Sequence, residues 1–202
     1  MKRLFVIIIC ICLIYSAYCQ NIGLRANTEF SGNRKINTAI GWGLYLNIND
    51  FSEKVELLFF LDIDKKYKEL PDDRTFSPIE GIRSNYAHLF GGASGLYVFP
   101  LSQKIKFKSG PSLFYNVISA SETGMWSNWL HSYKSYSLGS GLIFNFHYTA
   151  LWGSPFNVDL FIVPQYLFNI KNEINPTGIK SDYSENLKIL AIQLGLSFIL
   201  NE

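Results

Sequence analysis

Residues 187–200 read Leu-Lys-Ile-Leu-Ala-Ile-Gln-Leu-Gly-Leu-Ser-Phe-Ile-Leu. Within this stretch Leu190, Ile192, Leu194, Leu196, Phe198 and Leu200 share one parity, and Ala191, Gln193, Gly195 and Ser197 the other. Successive side chains of a β-strand point to opposite sides. The segment therefore has one continuous apolar face and one small, polar face. A soluble sandwich strand has the same alternation, so the decision rests on how often the pattern recurs and on what precedes it.

It recurs seven more times. Period-two segments are expected over residues 22–30, 38–48, 54–66, 86–99, 104–119, 135–149 and 156–170, giving eight strands in all. In the first, Ile22, Leu24, Ala26 and Phe30 oppose Gly23, Arg25, Asn27 and Glu29. In the second, Ile40, Trp42, Leu44, Leu46 and Ile48 oppose Gly41, Gly43, Tyr45 and Asn47. The third sets Val55, Leu57, Phe59, Leu61 and Ile63 against Lys54, Glu56, Asp62, Asp64 and Lys66, with Leu58 and Phe60 as exceptions on the polar side. The fourth is glycine-rich, and only Leu89, Tyr97 and Phe99 mark its apolar face. The seventh has Val163 and Leu167 as exceptions on its polar side.

The connections alternate in length. Residues 49–53, 100–103 and 151–155 form short turns. Residues 67–85, 121–134 and 171–186 form long polar loops rich in Pro, Gly, Ser, Asn and Asp, and 31–37 is intermediate. Short periplasmic turns, longer extracellular loops and an even strand count of at least eight characterise transmembrane barrels. With both termini periplasmic, every short turn here falls on the periplasmic side. Arg25, Glu29, Lys54, Glu56, Asp62, Asp64, Lys104, Lys106, Lys108 and Asp159 all lie on polar faces, where one lumen lets opposite charges pair. On the lipid face a midplane Lys or Arg would cost about 2–4 kcal/mol. The expected fold is all-β: an eight-stranded antiparallel up-and-down transmembrane β-barrel. The alternative is the same alternation turned inside out, a soluble periplasmic or secreted ligand-binding barrel.

The N-terminus carries an export signal. Lys2 and Arg3 precede an apolar run, 4–14, and Ser16-Ala17-Tyr18-Cys19 supplies a cleavage region before Gln20. The run is shorter than the ~20 residues of a spanning helix. Residues 1–19 are expected to be a cleaved signal peptide and 20–202 the barrel domain. Lipid attachment at Cys19 ranks second, because bulky Tyr18 stands where lipoprotein signals prefer a small residue. All three cysteines (Cys10, Cys12, Cys19) lie in the leader, so the mature chain has no disulfide chemistry. The chain has 18 Lys+Arg and 16 Asp+Glu; removing Lys2 and Arg3 leaves 16 against 16. That balance gives no electrostatic case for nucleic acid.

The leader followed by Gln20, the eight-strand layout and the terminal Leu194-Gly195-Leu196-Ser197-Phe198 together resemble the small outer-membrane β-barrel proteins of Bacteroidetes. The resemblance covers essentially all of residues 20–202 and implies a Gram-negative cell envelope location, in the outer membrane. It also implies outer-membrane lipid as surroundings and the barrel-assembly machinery as a partner in biogenesis. It carries no functional residues. Many such barrels end in an aromatic residue, whereas this chain ends Leu200-Asn201-Glu202 with Phe198 the nearest aromatic. With only two residues after Leu200, wall anchoring through a peptidoglycan-binding domain is not expected.

Little chemistry is legible. His88, His131 and His147 are far apart in sequence, and Asp62 with Asp64 on one face reads as salt bridging before cation binding. Gly91-Gly92-Ala93-Ser94-Gly95 leads to no helix, so packing explains it better than phosphate binding. His147-Tyr148-Thr149 is a degenerate echo of the His and Ser of outer-membrane lipid A deacylases. Thr replaces Ser there, and no Glu is placed to orient the His. No catalytic, cofactor-binding or metal-binding residue is assigned, and no cofactor. Trp126, Trp129 and Tyr133 concentrate aromatics in one expected extracellular loop. An interfacial girdle or a loop folded over the barrel mouth is the preferred account, with a protein or glycan partner as the alternative. The function expected is structural or interactive, as an accessory subunit of an envelope complex, and neither an enzyme nor an open diffusion pore.

Overall fold

The computed structural model describes residues 21–31, 38–52, 54–71, 81–124, 130–151, 154–175 and 186–199. The leader and the Trp126–Trp129 region lie outside the described residues. The strands are β1 (Asn21–Ser31), β2 (Thr38–Ser52), β3 (Val55–Pro71), β4 (Gly81–Pro100), β5 (Ile105–Gly124), β6 (Leu130–Tyr148), β7 (Phe156–Asn175) and β8 (Leu187–Ile199). Each pairs antiparallel with the next, and β8 pairs with β1 to close the barrel. Among the described residues no helix is long and apolar enough to cross a membrane.

The register fixes the barrel's dimensions. The ladder followed from Asn21 passes Asn47, Leu58, Ser94, Ser112, Gly141, Gln165 and Ile189, and returns to β1 at Ser31. The return lies ten residues from the start, so the shear is ten for eight strands. With ordinary strand spacing this gives a tilt of about 40° and a backbone radius of about 8 Å. Side chains fill a tube of that width.

Alternation holds as expected on every strand. Leu24, Trp42, Leu113, Leu138, Leu194 and their outward neighbours are exposed, while Arg25, Glu29, Asp62, Asp64, Lys108 and Asp159 are buried in the lumen. This is the reverse of a soluble barrel, and the inside-out alternative fails on it. Among the described residues the outward apolar band carries no charged side chain. Aromatic pairs belt its periplasmic rim, including Phe156 with Phe198 at 4.4 Å and Tyr97 with Phe99 at 4.7 Å. At the other rim Lys65, Lys134, Lys171 and Lys188 follow the last apolar outward residues of β3, β6, β7 and β8, where their ammonium groups reach water.

Several expectations need correction. The strands run on into the segments expected to be long polar loops. Pairing continues through Pro71↔Gly81 in β3–β4 and Thr123↔Leu130 in β5–β6, and β7 runs to Asn175. Beyond the membrane neither face is buried in lipid, so polar residues pair through backbone hydrogen bonds alone and leave no apolar alternation to read. The turn expected over 49–53 is shorter, because β2 continues to Ser52 through a register shift after Ile48. Ile48, expected on the lipid face, is buried at that irregularity. Lys54 and Lys104 are exposed at the periplasmic end and Lys106 is only half-buried, so these three leave the luminal set.

Candidate functional site

The lumen is packed in layers. At the periplasmic end Lys108 Nζ donates to Glu56 at 2.6 Å. Beside it Asp159 accepts from Tyr45 Oη at 2.6 Å, His147 Nδ1 at 2.8 Å and Asn145 Nδ2 at 2.9 Å. A carboxylate taken out of water needs this many donors to remain charged. An apolar layer follows, containing Leu58, Phe60, Leu96, Ile143, Phe161 and Val163. The residues that break the polar faces of β3 and β7 are therefore the plug. Gly92 is required here: a Cβ on it would lie 2.9 Å from the Phe60 ring and 3.1 Å from Phe114, so packing does explain that glycine.

Arg25 threads this layer. Its guanidinium lies 4.6 Å from the Phe60 centroid and 5.3 Å from Phe161, and its Nε donates to Asp62 at 2.7 Å. A second nitrogen bonds the other Asp62 oxygen, making the pair bidentate. Gly43 opposite leaves the space the Asp62 carboxylate occupies.

The next layer is polar and gathers residues from four strands. His88 on β4 donates from Nδ1 to Glu29 on β1, 3.0 Å from both oxygens, and from Nε2 to Asn116 on β5 at 2.9 Å. Asn27 Nδ2 reaches the two oxygens of Asp64 on β3 at 2.9 and 2.8 Å. Donor atoms of Glu29, Asp64 and His88 all lie within 4.8 Å of one another, and all three residues are buried. A second apolar cluster, with Ala39, Tyr86, Ile118, Leu167 and Ile189, caps the lumen on the extracellular side.

Sequence reasoning assigns no metal ligands because the histidines are scattered. The barrel brings one of them, His88, to Glu29, 59 residues away. Asp62 and Asp64 do share the luminal face; Asp62 is salt-bridged, with Arg25 as the partner that sequence reasoning does not name, whereas Asp64 accepts from Asn27. His147 is buried inside the periplasmic end and bound to Asp159, a carboxylate that sequence reasoning does not pair with it. In that place it does not reach an acyl chain outside the barrel. The side chain of His131 lies outside the described residues.

A second feature lies above the membrane. β3 to β7 have 17, 20, 20, 19 and 20 residues, whereas β1 and β8 have 11 and 13. At the tilt found here each residue rises about 2.5 Å along the axis, so an apolar band of about 25 Å needs about ten residues. The five long strands therefore stand about 15–20 Å above it as a wall. Tyr136 sits at its base between the ammonium groups of Lys134 and Lys171, 5.3 and 5.8 Å from its ring. Lys171 in turn pairs with exposed Glu173 at 2.7 Å.

No family model matches the chain, and no curated protein matches it. Among solved structures it is similar to Neisserial surface protein A, with 15% identity, 89% of this chain and 96% of that chain covered, and a TM-score of 0.57. A major outer membrane protein from Thermus thermophilus gives 15% identity, 88% and 98% coverage and a TM-score of 0.58. Ail, the attachment invasion locus protein of Yersinia pestis, gives 12%, 88% and 95%, and 0.51. At these identities the likeness is one of fold: the chain has the eight-stranded barrel of outer-membrane proteins.

Proposed function

We propose that this chain is an outer-membrane protein of the cell surface with an interaction role, acting through the wall of β3–β7 as an accessory subunit of an envelope complex. The observation that carries this is the contrast between its two halves. Among the described residues the lumen is filled by side chains in alternating polar and apolar layers, which supports a role other than diffusion. Among the described residues the wall of β3 to β7 extends ordered strands beyond the membrane, at the expense of conformational entropy. Extended edges and rims of this kind suit a protein or glycan partner.

The same proposal includes cleavage after Cys19 and an origin among the Bacteroidetes-type barrels, supported by the leader and the C-terminal strand. Mass spectrometry of the mature N-terminus tests the cleavage; a chain beginning at Gln20 is expected. For the function, photo-crosslinkers at Ser119 and Ser121 on the wall, with Leu113 in the lipid band as control, are placed in cells expressing the protein. A discrete adduct from the wall positions alone is expected, together with no steady conductance in planar bilayers. Sustained conductance with no wall adduct would overturn the interaction role in favour of a pore.

A further inference from the structure

We propose that Glu29, Asp64 and His88 form a binding site for a divalent transition-metal ion of the zinc class, sealed inside the barrel and completed by Asn27.

Three independent observations converge. The first is geometry. Ligand atoms around a tetrahedral ion with bonds of about 2.0–2.1 Å stand about 3.3 Å apart. Here His88 Nδ1 and the Glu29 oxygens are 3.0 Å apart, and the Asp64 carboxylate completes a triangle within 4.8 Å. A small expansion of the Glu29–His88 contact admits the ion. A nitrogen and two carboxylates suit zinc-class ions. Calcium takes six to eight oxygens instead.

The second is the surroundings of the histidine. A metal-bound imidazole usually donates its other ring N–H to a carbonyl or carboxylate, which fixes the tautomer and aims the free lone pair. His88 Nε2 donates to the Asn116 side-chain oxygen at 2.9 Å, which leaves Nδ1 as the coordinating atom. The ring is also stacked on Phe90, with centroids 4.9 Å apart and planes 24° apart. The third is an unpartnered ligand atom. Asn27 Oδ1 is buried and has no hydrogen-bond partner among the described residues, while its amide nitrogen faces both Asp64 oxygens. In this arrangement the amide nitrogen faces the carboxylate; with the ion bound the amide turns over, so that Oδ1 becomes the fourth ligand atom.

Charge agrees. With His88 donating from both nitrogens, Glu29, Asp62 and Asp64 set three negative charges against two positive ones, on Arg25 and His88; a dication that takes the place of the Nδ1 proton brings the layer to zero. Apolar side chains close it on both sides, Phe60 and Phe114 below and Tyr86 and Ile118 above. The ion therefore enters during folding and is held against chelators afterwards.

The full barrel is refolded with Zn2+ or Co2+, or with chelator, then freed of unbound metal and separated on gels by heat-modifiable migration. Metal content of the folded band is expected to be about one ion per barrel when metal is present during folding, and near zero when metal is added afterwards. Co2+ is expected to show the visible bands of a four-coordinate N/O site. His88→Gln and Asp64→Asn should each lower content more than about tenfold, whereas His147→Gln, at the other polar layer, should not. Folded wild type without metal under every condition would overturn the proposal. So would retention by a folded His88→Gln barrel. If a variant does not fold, the Co2+ spectrum of the wild type decides, and its absence overturns the site.

Discussion

Leu194 offers the sharpest test of which face meets lipid. On β8 the outward apolar row runs from Leu190 to Phe198, and Leu194 is four residues, about 10 Å along the axis, from either end. It is 59% exposed, flanked by outward Ala26 and Leu160. Leu194→Lys therefore puts an ammonium near the bilayer midplane, where about 2–4 kcal/mol is expected; this is about a 30- to 900-fold loss in the folding equilibrium. Phe198→Lys lies at the rim, so its depth-dependent cost is about 0–1 kcal/mol, with about 0.5–1.5 more from the lost Phe156 ring contact. Gln193 points into the lumen, its Nε2 3.5 Å from an Asp62 oxygen. A lysine there meets a carboxylate, so Gln193→Lys is better tolerated than Leu194→Lys, and Gln193→Glu is not. Reversible denaturant unfolding in phospholipid bilayers, followed by tryptophan fluorescence, measures all four. Equal losses at 193, 194 and 198, or a Leu194→Lys cost under about 0.5 kcal/mol, would refute the depth argument.

Arg25→Met leaves Asp62 buried without its cation and should cost about 3–5 kcal/mol; Arg25→Met with Asp62→Leu should recover most of it, as read by the same unfolding assay. Gly43→Ala should cost about 1–3 kcal/mol, because a Cβ there meets the Asp62 carboxylate and sits 2.6 Å from the Leu61 carbonyl oxygen. Gly95→Ala, whose Cβ meets nothing within 4 Å, should be neutral or stabilising. Shortening the β5–β6 hairpin above residues 119 and 134 should leave heat-modifiable folding intact while abolishing the adduct from the crosslinker retained at Ser119; loss of folding would show that the wall belongs to the barrel's stability instead.

What is legible in the sequence is everything that lipid enforces. Inside the membrane each outward residue must be apolar, so the period-two signal of β8, β1 and β5 fixes strand, face and register together. The exceptions Leu58, Phe60, Val163 and Leu167 look like noise in the sequence. They are the plug, because the inside of a barrel whose backbone radius is about 8 Å is itself a core and takes apolar residues on the face that should be polar. The wall is invisible for the opposite reason: nothing above the membrane demands alternation. The Glu29–Asp64–His88 cluster is hidden by topology. Its members lie on β1, β3 and β4 and meet across the tube, a closeness no local spacing encodes. One signal is available. Glu29, Asp64 and His88 each lie on the luminal parity, toward the extracellular end of their own strands, but glycine-rich β4 obscures the parity of His88.

The asymmetry of strand length separates the two jobs of the chain. Among the described residues β8 and β1 end near the level where the apolar band ends, at Leu187 and Ser31. β3 to β7 pass the same level with their pairing continued, and their ladders carry the barrel's rigidity upward. A partner bound to the wall therefore meets a surface whose backbone is fixed by the membrane-embedded half, and little ordering is left to occur on binding. The charged layers inside serve that rigidity: each polar side chain bonded across the tube ties strands that are not neighbours, as Arg25 on β1 does with Asp62 on β3. Loosening the lumen by Arg25→Met should thus weaken wall crosslinking even though no wall residue changes, and a wall that kept its full crosslinking in that variant would show the two halves to be independent.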